Sequence, residues 1–143
     1  MNRIIQFYQD KECELPIEEK NLRKMLSRVL GDLNRKKYDI SIIAKSDDDL
    51  RLMKKEYFNE DVYTDIISFV IDEEPLLEGE LYYSPEQIRR NAGKFSETEA
   101  REFARVLIHG ICHLCGFDDK NEEERRVMRD LEDSFLTKYY NGL

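Results

Sequence analysis

The chain contains two histidines, and they stand four residues apart, at His109 and His113. On a helix that spacing sends both imidazoles from one face, one turn apart. Gly116 follows three residues after His113, and Asp119 three residues after that. A glycine can take the left-handed conformation that stops a helix and turns the chain back. The turn then brings a third side chain beneath the two rings. Two nitrogens and a carboxylate oxygen suit a divalent metal such as zinc, with a fourth position left for water. A histidine pair at this spacing is often plain core or surface. Here the pair exhausts the histidine content and is followed by a turn glycine and a carboxylate at ligand spacing, which favours a metal.

The spacing matches the zinc-helix proteases, His-x-x-x-His-x-x-Gly-x-x-His, with two departures. Gly110 stands where those enzymes carry the Glu that acts as general base, and Asp119 stands where a third His is usual. Asp still ligates zinc through oxygen. The missing Glu counts against a zinc metallopeptidase. Cys112 and Cys115 form a C-x-x-C inside the same helix. No second such pair completes a four-Cys site, so both are read as small hydrophobes. Cys13 stands alone, and an odd cysteine count does not describe a secreted disulfide scaffold.

The 143 residues fit one domain, expected to span 1–143. Net charge is −8. That argues against broad, sequence-independent nucleic-acid binding. It leaves room for a local basic groove, and Arg89, Arg90, Lys94, Arg101 and Arg105 gather just before the histidines. Arg35, Lys36 and Lys37 read as solvated surface. No run approaches the ~18 apolar residues of a membrane span. The first residues, Met1 to Tyr8, are too short and too polar for a signal peptide. The expectation is a cytoplasmic protein with no membrane partner.

Periodicity gives the elements. Arg3–Tyr8 and Tyr38–Ala44 read as strands, and Ile17 to about Arg35 as an amphipathic helix carrying Leu22, Met25, Leu26, Val29 and Leu33. Ser46 caps a helix whose first turn holds Asp47, Asp48 and Asp49, which suit the positive helix start. Phe58 to Tyr63 is a loop, Thr64 to Ile71 a strand containing Asp65, and Asp72 to Glu78 an acidic loop. Gly79–Tyr83 is a strand pairing with the last. Ser84 and Pro85 start a helix running to about Gly93. Ser96 to Glu99 resembles a capping box for the helix that carries the histidines. Asn121–Tyr140 is a final helix with a buried stripe of Val127, Met128, Leu131, Phe135 and Leu136. The order predicts an α+β domain: a small mixed sheet of about four strands, packed with about five helices, the metal site at the end of a central helix.

Three ordered segments resemble the YbeY family of bacterial rRNA-maturation endoribonucleases. The first is His109-Gly110-x-x-His113-Leu114-x-Gly116-Phe117-Asp118. The second is Tyr57, Asp61 and Thr64-Asp65-Ile66-Ile67-Ser68-Phe69, similar to an aromatic-x-x-x-Asp-x-Pro-Thr-Asp-Val-Leu-Ser-Phe run. The third is Gly79-Glu80-Leu81-Tyr82-Tyr83-Ser84, similar to Gly-Asp-Ile-x-Ile-Ser. The resemblance covers most of the chain from about Tyr38. It implies one zinc per chain, cleavage of single-stranded RNA, maturation of the 16S rRNA 3′ end and ribosome quality control. It also implies small-subunit ribosomal proteins as partners, with a ribosome-associated GTPase. This chain departs from the pattern at Asp119 (a His in the family), Phe58 (a basic residue), Tyr63 (Pro) and Lys54 (Asn).

The expected metal ligands are His109, His113 and Asp119. His109, His113 and Asp65 are the catalytic candidates, with Asp118 a weaker one that can hold the turn or orient a ligand. Asp65 has a plainer reading as a strand-end Asp bonding nearby backbone. Two other functions stay open: a zinc metallopeptidase, and a non-catalytic ribosome-assembly factor with a structural metal.

Overall fold

The computed structural model describes residues 2–10 and 13–141. β-Branched and aromatic runs form β1 (Arg3–Tyr8), β2 (Tyr38–Ala44), β3 (Ile66–Asp72) and β4 (Leu77–Tyr83); the helices are α1 (Glu19–Asp32), α2 (Asp47–Phe58), α3 (Pro85–Lys94), α4 (Glu99–Leu114) and α5 (Glu122–Phe135). A π-helical turn, Leu136–Tyr140, continues α5. The strands lie in the order β1-β2-β4-β3. β1 and β4 are parallel to β2, and β3 is antiparallel to β4. The α+β domain with a four-stranded mixed sheet and five helices is as expected.

Alternation decides which face of the sheet is covered. Tyr38, Ile40 and Ile42 of β2 share a face with Leu77, Gly79, Leu81 and Tyr83 of β4, and all are buried. α4 lies across β3 and β4 and packs against α1, α3 and α5. Its buried residues include Phe103, Val106, Leu107, Ile108, Ile111 and Leu114. Each such side chain contributes about 1.5–3 kcal/mol by leaving water. This burial, rather than helix propensity, fixes the helix that carries both histidines.

Two glycines set how close α4 comes to the sheet. A Cβ on Gly110 would sit 2.7 Å from Ile66 Cδ1 and 3.0 Å from Leu81 Cδ2, and a Cβ on Gly79 would sit 2.8 Å from Leu114 Cδ2. The Ser68 hydroxyl donates to the Gly110 carbonyl at 3.3 Å. Gly110 therefore faces the sheet, turned away from the site.

Four of the helices begin on a side-chain cap: Ser46 for α2, Ser84 for α3, Thr98 for α4 and Asn121 for α5. The expected capping box at Ser96 is not the start of α4. Ser96 has φ 54° and ends α3, with the Glu97 N–H donating to the Ala92 carbonyl at 2.9 Å. Thr98 caps instead, accepting from the Arg101 N–H. Several boundaries also move, and α2 keeps Phe58, expected in the following loop. α1 ends at Asp32 because Asn34 turns left-handed at φ 63°. β3 starts at Ile66, so Asp65 precedes the strand instead of lying in it. The acidic loop is shorter than expected, since β3 keeps Asp72 and β4 begins at Leu77. Val127 is 41% exposed, outside the buried stripe of α5, which runs through Met128, Glu132 and Phe135.

Candidate metal centre

α4 ends in a glycine turn. Its last residue is Leu114, Cys115 caps it, and Gly116 has φ 98°. The Gly116 N–H donates to the His113 carbonyl, and the Phe117 N–H to the Cys112 carbonyl, both at 3.0 Å. This pairing is the Schellman motif, and it reverses the chain. Asp119 is thereby carried back under the last two turns of α4. Gly116→Ala should strain this turn by about 1–2 kcal/mol. We expect a lower denaturation midpoint and weaker metal binding in titrations of that variant; unchanged affinity would detach the turn from the site.

His109 Nε2 and His113 Nε2 are 3.0 Å apart, and each is 3.3 Å from Asp119 Oδ2. Among the described residues these three form a group that could hold a metal ion. Ligands about 2.0–2.1 Å from a tetrahedral zinc stand about 3.3 Å from one another, so the triangle has the size of one tetrahedral face. The residues fit the ion.

The tautomer is fixed from behind. His109 Nδ1 lies 2.6 Å from Glu132 Oε2. With the proton on Nδ1, donated to Glu132, the lone pair is on Nε2 and faces the triangle. Glu132 is buried and is held in turn by Arg105, whose guanidinium donates to it at 3.0 Å and to Asp133 at 2.6 Å. Burial alone would push His109 down, but Glu132, Asp119 and Asp65 outweigh it and hold the imidazole above its ordinary value. The same negative surroundings favour a metal cation. We expect Glu132→Gln to weaken metal affinity by about 10–100-fold, the usual cost of losing such a partner. Competition with a metal-sensitive dye measures it, and an unchanged constant would remove Glu132 from the site.

Asp65 lies beside the cluster. Its Oδ2 accepts from Asn91 Nδ2 at 3.1 Å, and its carbonyl accepts from the Ser84 N–H at 2.9 Å. Burial pushes its carboxyl up, against the pull of His109 and neighbouring N–H groups. Cys112 is not part of the group; it is buried, and burial pushes its thiol up to about 12. Gly110, in the place of a protease's general base, faces Ile66 and Leu81, and a side chain there must displace their terminal methyls.

Two clefts meet at the cluster. One, of about 540 Å³, is lined by Lys54, Phe58, Asp65, Asp118 and Lys120 together with His109, His113 and Asp119. The other, of about 520 Å³, reaches His109 and Asp119 past Glu102, Arg125 and Arg129. The arginines before the histidines do not form the open basic groove allowed for above. Arg89 pairs with Glu99 at 2.8 Å, Arg90 with Asp47 at 2.7 Å and Arg101 with Glu97 at 3.1 Å, and Arg105 is spent on Glu132 and Asp133.

A family model described as "Endoribonuclease YbeY" matches residues 5–140. The chain belongs to the YbeY endoribonuclease family. A YbeY endoribonuclease of Christiangramia forsetii is 36% identical over 136 residues, covering 95% of this chain and 94% of that protein. One from Bacteroides thetaiotaomicron is 34% identical over 130 residues, covering 90% of this chain and 95% of that protein. The solution structure of a Thermotoga maritima protein superposes with a TM-score of 0.64 at 26% identity, covering 97% of this chain and 93% of that one. In this YbeY chain the group that could hold a metal is His109, His113 and Asp119. Glu132 and Asn91 are not singled out by the sequence, and Arg105 stands out in it only as one of the basic cluster. The available signal was Glu132 itself, a charged residue four positions from Met128 on an apolar stripe.

Proposed function

We propose that the chain is a zinc-dependent endoribonuclease acting on single-stranded RNA, with one zinc per chain held by His109, His113 and Asp119. The carrying observation is the triangle of two Nε2 atoms and one carboxylate oxygen placed where two clefts meet. A strand can lie through both clefts without ending at the site, which suits internal cleavage. The open side of the triangle suits catalysis better than a closed, purely structural metal. When bound, zinc supplies Lewis acidity, lowering the pKa of water and stabilising charge on a phosphoryl oxygen.

The chain's own residues do the rest. Glu132 holds the His109 proton at Nδ1, and Arg105 holds Glu132. Asp65, steadied by Asn91, is the proton-handling group beside the ligands. Asp65→Asn should keep metal and lose cleavage by about 10²–10⁴-fold, the range for a general acid–base group. Full activity in that variant would return Asp65 to a backbone-bonding role.

Family membership supports 16S rRNA 3′-end maturation and ribosome quality control as the setting. Small-subunit ribosomal proteins and a ribosome-associated GTPase are then partners, and the cytoplasm is the place of work. Among the described residues no helix is long and apolar enough to cross a membrane. The peptidase reading lacks its base, because Gly110 packs on the sheet. The test is cleavage of an internally labelled single-stranded RNA, stopped by chelation and restored by zinc. Cleavage of unstructured protein instead, or no RNA cleavage by the zinc-loaded chain, would overturn the proposal.

A further inference from the structure

We infer that Lys54, carried on the ring of Phe58, receives an RNA phosphate in the cleft that leads to His109, His113 and Asp119. This rests on the ribonuclease reading and adds a substrate-positioning pair to it. The cleft is lined by four carboxylates, Glu60, Asp65, Asp118 and Asp119, and by two cations, Lys54 and Lys120. Away from the ligand triangle the carboxylates repel a phosphodiester, and Lys54 and Lys120 are the side chains of the cleft that attract one.

Lys54 is the one with a built mount. It stands one helical turn before Phe58 on α2, so its stem runs toward the ring. Its Nζ lies 4.7 Å from the ring centroid. Phe58 in turn stacks on Phe69 at 5.8 Å, and Phe69 meets Tyr57 edge-on at 5.3 Å and Tyr82 at 5.8 Å. Phe58 is the last residue of α2, where Asn59 turns left-handed at φ 56° and stops the helix. Among the described residues no carboxylate oxygen lies within 4.0 Å of Lys54 Nζ. The arginines of α3 and the first half of α4 are, by contrast, neutralised by ion pairs. A ring holds an ammonium in place without cancelling its charge. The charge therefore stays available to an anion, and the exposed Phe58 is a positioning residue for it.

The test is binding of a fluorescein-labelled, single-stranded 2′-O-methyl oligouridylate to zinc-loaded protein, followed by anisotropy over a salt series. The 2′-O-methyl groups keep the phosphates and remove the 2′-oxygen as a nucleophile, and a gel run after each titration checks that the strand has not been hydrolysed by water. Lys54→Met should raise Kd roughly fivefold at low salt and reduce the log–log salt slope by about 0.7, the value of one single-strand phosphate contact. Lys54→Arg should keep the slope, and Lys20→Met, on exposed α1 surface, should leave the Kd unchanged. Phe58→Leu should raise Kd alone but add nothing in the Lys54→Met background, because the ring acts through the amine. An unchanged Kd and slope in Lys54→Met, with wild-type protein binding normally, would overturn this inference and leave the nuclease reading standing. Wild-type protein that neither binds nor cleaves RNA would overturn both.

Discussion

Replacing His113 with Ala should abolish RNA cleavage while the fold survives. The ring sits at the mouth of a cleft with its side chain 23% exposed, and its Nε2 is one corner of the ligand triangle. Its removal leaves one nitrogen and one carboxylate, too few to hold zinc tightly. A zinc ion held there would supply several kcal/mol of transition-state stabilisation, and each 1.36 kcal/mol is tenfold in rate, so the loss should be about a thousandfold or more. The neighbouring packing on Ile111, Cys112 and Leu114 is untouched, so the circular dichroism spectrum should match the wild type. Cleavage at the wild-type rate by this variant would remove His113 from the reaction.

The second large effect is on stability. Gly110→Glu should destabilise the domain by more than about 3 kcal/mol, a large share of the roughly 5–15 kcal/mol that holds a domain together. A Cβ alone already meets Ile66 at 2.7 Å and Leu81 at 3.0–3.1 Å. A carboxylate beyond it would be driven into an apolar interface with no partner. Gly110→Ala should cost less, about 1–3 kcal/mol, as ordinary overpacking does. Urea denaturation measures both. A Gly110→Glu protein of normal stability would mean that α4 can shift off the sheet, and would reopen the peptidase comparison. The position that carries the base in zinc-helix proteases is here part of the core, so the shared spacing does not bring the protease's base with it.

Much of this site can be read from the chain because it is local. His109, His113, Gly116 and Asp119 lie within one helix end and one turn, where spacing dictates geometry. β2 and β4 are legible for the same reason, since a half-buried strand alternates. What sequence did not show depends on contacts between distant segments. Glu132 meets His109 only because α5 packs on α4. The arginine cluster looked like a basic surface, yet Arg90 is answered by Asp47 and Arg105 by Glu132 and Asp133, residues far away along the chain. Periodicity carries no information about such pairs. The cap of α4 stands two residues beyond the one expected from sequence because Ser96 and Thr98 both suit a cap, and only the left-handed turn that ends α3 decides between them. Phe58, read from sequence as the loss of a cation, stands in the structure under the amine of Lys54.

The most direct test is elemental analysis of the wild-type protein beside His113→Ala and Asp119→Ala, each purified without added metal and again after zinc is supplied. The metal site described here predicts about one zinc per wild-type chain and a large loss in both variants. Zinc retained in full by Asp119→Ala would show that the turn does not deliver a ligand. No zinc in the wild-type chain, even when it is supplied, would contradict the metal-dependent mechanism altogether.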